Sequence, residues 1–219
     1  MKKGIFITLE GGEGVGKSTQ TNLLEKAIYK NNLTCLKTRE PGGTKGAEIL
    51  RDLVVNKLYD FDDITDLLLL NGARREHLSK LIFPNLENHH FIICDRFLLS
   101  TIVYQGIVAG IDLKHILKLH EICSFNYYPD LTIVIDMIAS DSLKRLQNRC
   151  TNNSIDNKPQ EFHDSIAKAY RQCTEFYQGK VENINGSYDI LTIHQEIIKG
   201  INKSFNLTLE PLSYLELKA

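Results

Sequence analysis

The chain has 219 residues, and its 26 basic and 27 acidic side chains nearly cancel to a formal charge of −1. That length fits one domain able to bury a core without disulfide or metal staples, and 42% apolar with 24% charged residues exclude a largely disordered chain. A neutral balance also argues against a general nucleic-acid or membrane-surface binder, so any phosphate-binding charge must be concentrated locally.

In chain order, Met1-Lys2-Lys3 is followed by a short apolar run, Ile5–Leu9, cut off by Glu10. A secretory leader needs about 7–15 apolar residues, so a mature N-terminus is expected. Short β-branched runs at Ile5–Leu9, Thr34–Lys37, Phe91–Cys94, Leu131–Ile135 and Ile190–Ile193 predict five strands. Between them, helices are predicted at Ser18–Tyr29, Ala47–Asn56, Ile64–Leu86, Leu98–Leu119, Ser142–Arg149, Gln160–Tyr177 and Gln195–Phe205. Strands apolar on both faces and separated by helices imply a buried parallel sheet with right-handed crossovers. The polar stretch Thr151–Pro159 has no apolar period and predicts a mobile loop, and the segment after Phe205 carries no signal. Leu67–Leu70 is far too short to span a membrane. Cys35, Cys94, Cys123, Cys150 and Cys173 are odd in number with no Cys-x-x-Cys pair, the pattern of reduced thiols in a soluble, cytoplasmic protein.

The sharpest chemical signal is Gly11-Gly12-Glu13-Gly14-Val15-Gly16-Lys17-Ser18, a G-x-x-x-x-G-K-[ST] loop between a predicted strand and a predicted helix. Backbone N–H groups of such a loop converge on an anion, and the helix N-terminus adds its partial positive charge. Lys17 would reach the outer phosphates and the Ser18 hydroxyl would ligand magnesium. Glu13 is unfavourable beside polyphosphate unless a sugar hydroxyl, a metal-bound water or a basic partner needs it.

Asp95-Arg96 follows the third strand, where ligands of open parallel sheets bind. Arg96 offers a planar fork for phosphate, and Asp95 could orient metal-bound water or Arg96 itself. Arg39-Glu40-Pro41-Gly42-Gly43-Thr44 supplies a turn of close backbone approach, and the next helix carries Arg51. Arg74 and Arg75 are adjacent on a helix, about 100° apart, so at most one enters a site. Ser100, Thr101, Tyr104 and Gln105 recur at helical spacing, and a Tyr and a Gln there could read a nucleoside.

The order of phosphate loop, Arg39–Thr44 motif, helical Arg74, Asp95-Arg96-Phe97-x-x-Ser100-x-x-x-Tyr104-Gln105-Gly106 and Pro129-Asp130-Leu131-Thr132 resembles the bacterial thymidylate kinase family, from about Ile5 to Tyr177. The resemblance implies a three-layer α/β P-loop nucleoside monophosphate kinase fold with a five-stranded parallel sheet flanked by helices. It implies a single domain over residues 1–205 with a mobile lid near 150–160, then a C-terminal tail of unknown role at 206–219. Such enzymes move the γ-phosphate of ATP to dTMP, giving dTDP and ADP for dTTP synthesis, with Mg2+ and commonly as homodimers.

Carried over by position, Gly11, Gly12, Glu13, Gly14, Val15, Gly16, Lys17 and Ser18 would hold the ATP phosphates, and Ser18 and Asp95 the metal. Arg51, Arg96 and Glu40 would surround the acceptor phosphate. Arg74 and Gln105 would bond the base in a pocket lined by Ser100 and Thr101. Tyr104 would pack near the sugar 2′ carbon, and Glu13 would sit near the 3′-hydroxyl. Lys17, Arg96, Asp95 and Glu13 would be the catalytic groups. No strong general base is required, because the nucleophile is already a phosphate oxygen.

Two positions depart from the family pattern. Where relatives stack a Phe on thymine, this chain has Leu70, four residues before Arg74. Where the lid usually supplies Arg-x-Asp/Glu, it reads Ser154-Ile155-Asp156. Arg149 is the preferred substitute, ahead of Arg145 and Lys158. A kinase for another nucleoside monophosphate is the nearest alternative. A regulatory nucleotide switch is more distant, since a guanine-selective one would carry Asn-Lys-x-Asp and no such tetrad occurs.

Overall fold

The computed structural model describes residues 4–56, 58–147, 155–174 and 177–218. Five strands, β1 (Ile5–Glu10), β2 (Cys35–Arg39), β3 (Phe91–Asp95), β4 (Leu131–Asp136) and β5 (Val181–Asn185), form one parallel sheet in the order β2-β3-β1-β4-β5. Between and after them come α1 (Lys17–Lys30), α2 (Lys45–Val55), α3 (Asp63–His77), α4 (Phe83–Asn85), α5 (Leu98–Thr101), α6 (Leu113–Ser124), α7 (Ala139–Gln147), α8 (Gln160–Cys173), α9 (Ile190–Phe205) and α10 (Tyr214–Lys218). Two π-helical segments, Leu78–Ile82 and Ile102–Val108, extend α3 and α5.

One core fills each face of the sheet. Ile7, Leu9, Leu24, Ile28, Ile93, Ile133, Ile197 and Ile201 join β1, β3 and β4 to α1 and α9. Phe6, Ile92, Val134, Leu67, Phe97, Ile116, Ile166 and Tyr170 fill the opposite face under α3, α6 and α8. Because β1 and β3 are covered on both faces, apolar residues fill consecutive positions rather than alternate ones, Thr8 and the strand-ending Glu10 and Asp95 excepted. Burying each such Leu, Ile or Phe is worth roughly 1.5–3 kcal/mol.

The fifth strand is not where the apolar run predicted it. Ile190–Ile193 is the first turn of α9, capped by Asp189, whose Oδ1 accepts from Leu191 N (2.9 Å) and Thr192 N (3.0 Å). Ile193, Ile197 and Ile201 then fall at helical spacing on the buried face. The true β5, Val-Glu-Asn-Ile-Asn, is an edge strand with one fully buried residue, Ile184, so it lacks the greasy signature of the central strands. The predicted helix Leu98–Leu119 is likewise broken. Gly110, at φ 81°, ends the π-helical turn, and Asp112 caps α6 by accepting from Lys114 N at 2.9 Å.

The segment after Phe205 is docked. Leu209 and Leu212 are buried, Asn202 brackets Leu209 with two backbone bonds, and Leu212 N donates to His194 Nε2 at 3.1 Å. Lys30 of α1 holds Glu216 at 3.1 Å. Among the described residues no helix is long and apolar enough to cross a membrane, and Cys35, Cys94, Cys123 and Cys173 are free thiols.

Candidate active site

The carboxyl ends of β1, β2 and β3 open into one crevice of about 470 Å3. The β1–α1 turn, expected from sequence to be the donor side, forms one wall. Gly11 and Gly14 take φ of 137° and 74°, where side chains are disfavoured. A Cβ on either would also strike backbone, Ile135 O in one case and Ser142 O in the other. Lys17 folds over the loop, its Nζ donating to Gly11 O (3.0 Å) and Gly12 O (2.6 Å). Burial and the neighbouring Arg96 charge pull its pKa down to about 8. An anion would replace those neutral acceptors with charged ones and restore the favourable field. Ser18 Oγ donates to Asp95 Oδ2 at 2.9 Å, which joins a hydroxyl and a carboxylate at the end of β3.

The opposite wall, expected from sequence to be the acceptor side, is assembled from separate elements. Arg74 is 4% exposed; its Nε donates to Glu40 Oε2 (2.7 Å) and its Nη2 to Thr101 Oγ1 (2.8 Å). Nη1 of Arg74 is buried and has no hydrogen-bond partner among the described residues. Glu40 also faces His77 Nδ1 at 2.9 Å. Burial would raise its pKa, but Arg74 and His77 outweigh that and hold Glu40 below the usual carboxylate range. Arg51 Nη1 donates to Pro41 O at 2.7 Å. Burial and the like charges of Arg39 and Arg96 lower the Arg51 pKa, the field expected where an anion is to be received.

Arg96 ties the two sides together. Its φ of 72° lies in the left-handed region, a cost of order 1–3 kcal/mol for a non-glycine residue. The backbone is held there by Arg96 N donating to Leu9 O at 2.9 Å. From that position Nη2 donates to Glu13 Oε1 (2.7 Å), and Nη1 reaches Gly11 O (3.1 Å), Ser100 Oγ (3.1 Å) and Tyr170 OH (3.2 Å). Tyr104 OH contacts both Glu13 oxygens, at 2.8 and 2.6 Å. Burial would raise Glu13, but Arg96 and Lys17 hold it below the usual range, so the carboxylate inside the phosphate loop is charged and paired. Beneath this layer lies Glu10, fully buried with a raised pKa because of that burial. It accepts from Phe97 N (2.8 Å), Ser100 Oγ (2.6 Å) and Tyr170 OH (3.1 Å).

Of the residues predicted from sequence, Glu13, Gly14, Lys17, Ser18, Glu40, Arg51, Leu70, Arg74, Asp95, Arg96, Ser100, Thr101, Tyr104 and Gln105 all line the crevice. Glu40 does so with both oxygens already engaged by Arg74 and His77. Arg75 points away and lies over the Phe125 ring at 3.7 Å. Arg149 and Ser154 lie outside the described residues, whereas Arg145 is exposed on α7 and Lys158 sits 6.0 Å from the Phe162 ring. Ile155 and Asp156 reach the crevice, as does Leu146. Sequence reasoning missed Glu10, His77 and Tyr170. Tyr170 is an ordinary member of the buried stripe of α8, and nothing in its spacing announces a bond to Arg96.

The family model described as "Thymidylate kinase" matches residues 9–197. The chain is 38% identical over 212 residues to the thymidylate kinase of Orientia tsutsugamushi, covering 94% of this chain and 96% of that one. It is 39% identical over 201 residues to that of Rhizorhabdus wittichii, with 90% and 97% covered. The crystal structure of thymidylate kinase from Ehrlichia chaffeensis superposes with a TM-score of 0.74 at 32% identity, over 91% of this chain and 99% of that one. The family model over most of the chain, relatives 38–39% identical almost end to end and a solved structure with the same overall architecture place this chain in the thymidylate kinase family of phosphotransferases.

Proposed function

We propose that the crevice transfers the γ-phosphate of ATP to dTMP, releasing dTDP and ADP, as a step in dTTP synthesis. The observation that carries this reading is that Lys17 and Ser18 on the donor side and Arg51, Arg74 and Arg96 on the acceptor side share one cavity. An oxygen of the dTMP phosphate attacks the γ-phosphorus while the bond to the ADP oxygen breaks. The residues supply alignment and charge neutralisation rather than a base. Lys17 leaves its loop carbonyls for the transferring phosphoryl group, Arg96 spans donor and acceptor phosphates, and Arg51 fixes the acceptor. Arg74 and Gln105 read the base, Ser100 and Thr101 shape its pocket, and Tyr104 with Glu13 closes the sugar side.

Magnesium favours a few hard oxygen ligands together with substrate phosphates, and the Ser18–Asp95 pair fits that preference. Bound there, the ion would neutralise phosphate oxygens. Arg149, which lies outside the described residues, completes the charge around the transferring group in place of the arginine that relatives carry in a lid near residues 150–160. The single kinase domain works in the cytoplasm, with neither nucleic acid nor membrane as partner. It pairs as a homodimer: Ile64 and Leu68, one turn apart on α3, and Ile122 on α6 leave apolar side chains half exposed or more. ADP release measured across dTMP, dUMP, dCMP and dGMP tests the reading. Turnover highest with dTMP supports it; faster turnover of another acceptor, or ATP hydrolysis needing no acceptor, overturns it.

A further inference from the structure

His77 belongs to none of the groups that touch substrate in the reading above, yet it is fully buried at the end of α3 with both ring nitrogens engaged. Nδ1 lies 2.9 Å from Glu40 Oε1 and Nε2 lies 2.7 Å from Thr38 Oγ1. A carboxylate can only accept, so Nδ1 carries a proton, and the Thr38 hydroxyl is free to donate to Nε2. Glu40 uses its other oxygen to hold Arg74 Nε at 2.7 Å. The order Thr38, His77, Glu40, Arg74, Thr101 is therefore a continuous chain of bonds from β2 through α3 to α5.

The ring has a second contact. A Cβ on Gly43 would lie 2.6 Å from both Cδ2 and Nε2 of His77, so the imidazole is the floor of the Pro41–Gly43 turn. Pro41 O in that turn accepts from Arg51 Nη1 at 2.7 Å. One imidazole thus abuts the supports of two arginines, Arg74 at the base end of the pocket and Arg51 at the phosphate end. It touches neither arginine itself in any bond described above.

We propose that His77 is a positioning residue for the nucleotide acceptor: by fixing Glu40 and the Pro41–Gly43 turn, it sets Arg74 and Arg51 at the spacing one nucleoside monophosphate requires. This rests on the acceptor being dTMP. The donor loop is outside the chain of bonds, so losing His77 acts on the acceptor and spares ATP.

The test is steady-state kinetics on His77→Leu, His77→Asn and Thr38→Val, with KM determined separately for dTMP and ATP and the folded fraction checked by thermal melting. Small displacements of positioning groups cost up to about 100-fold. His77→Leu is expected to raise the dTMP KM about tenfold or more while the ATP KM moves less than about twofold. His77→Asn, whose amide N–H can stand in for Nδ1–H toward Glu40, should recover most of that loss. An unchanged dTMP KM in His77→Leu, a proportional rise in both KM values, or an Asn variant no better than Leu overturns the proposal. Should His77→Leu fail to fold, Thr38→Val decides: a severalfold rise in dTMP KM alone supports the proposal, and a wild-type value overturns it. Wild-type protein that does not use dTMP sinks the acceptor reading itself, whereas active wild type with indifferent variants sinks only the role of His77.

Discussion

The two sides of the crevice are built on opposite plans. The proposed donor side is eight consecutive residues, Gly11–Ser18, of which Glu13, Gly14, Lys17 and Ser18 line the crevice. The acceptor side draws Glu40, Arg51, Arg74, Arg96 and Tyr104 from five separate stretches of chain, and each is fixed by bonds to other side chains or to a turn. A backbone cradle needs only a local conformation. A side-chain pocket needs every buried polar group to find its partner across the fold, because an unmatched one costs about 1–3 kcal/mol. The acceptor side is therefore more easily damaged from a distance, and Arg96 is the point where damage to one side reaches the other.

Removing that link should have the largest effect. Arg96→Ala deletes the contact to Glu13 at 2.7 Å and leaves a charged, buried carboxylate inside the phosphate loop. Loss of a positioned donor of this kind costs about 10²–10³-fold in rate. kcat/KM for dTMP should fall about 10²–10³-fold, with kcat itself reduced, and retention of more than a tenth of activity would show that the two sides are independent. Arg149→Ala asks whether that arginine takes part in the transfer: single-turnover rate is expected to fall about 100-fold with dTMP binding intact. A wild-type rate would remove Arg149 from the reaction.

Acid should weaken the fold around the crevice more gently. His120 of α6 lies against Phe97 and Tyr128, and burial together with the Arg74 charge lowers its pKa to about 3. His194 under the C-terminal segment is lowered to about 4, first by burial and then by Lys30. Both are depressed below the ordinary histidine value of about 6.5, so the unfolded chain binds more protons. Their contribution is complete above about pH 6.5 and is lost as pH falls toward the folded values, on the order of 1–2 kcal/mol each by pH 5. Melting temperature should drop over that range, and His120→Phe should flatten the drop; an unchanged pH slope in that variant would refute the assignment. The smallest expected effect is at Leu70, which lines the crevice near Arg74. Leu70→Phe adds a π face worth on the order of 1 kcal/mol, so the dTMP KM should fall about fivefold. No change would mean that Arg74 and Gln105 alone set base affinity.

By itself the sequence determined the glycine-rich β1–α1 loop, the parallel α/β class and 14 of the 23 residues that line the crevice. These depend on contiguous glycines, apolar strand runs and motifs whose meaning is local. It misplaced β5, because Ile190–Ile193 has the composition of a strand while the real edge strand, half polar, does not. Edge position and the Asp189 cap decide that exchange, and both are tertiary or capping facts rather than periodic ones. Helix spacing alone left Arg74 and Arg75 open, and the family resemblance named Arg74. The tertiary structure buries Arg74 and lays Arg75 over the Phe125 ring, since two neighbours on a helix differ only in what lies opposite them. It alone brought Tyr170 of α8 to Arg96 and Glu10, and His77 of α3 to Glu40. Those residues act through partners as many as 160 positions away in the chain, and a sequence pattern carries no record of such a partner until the sheet brings it close.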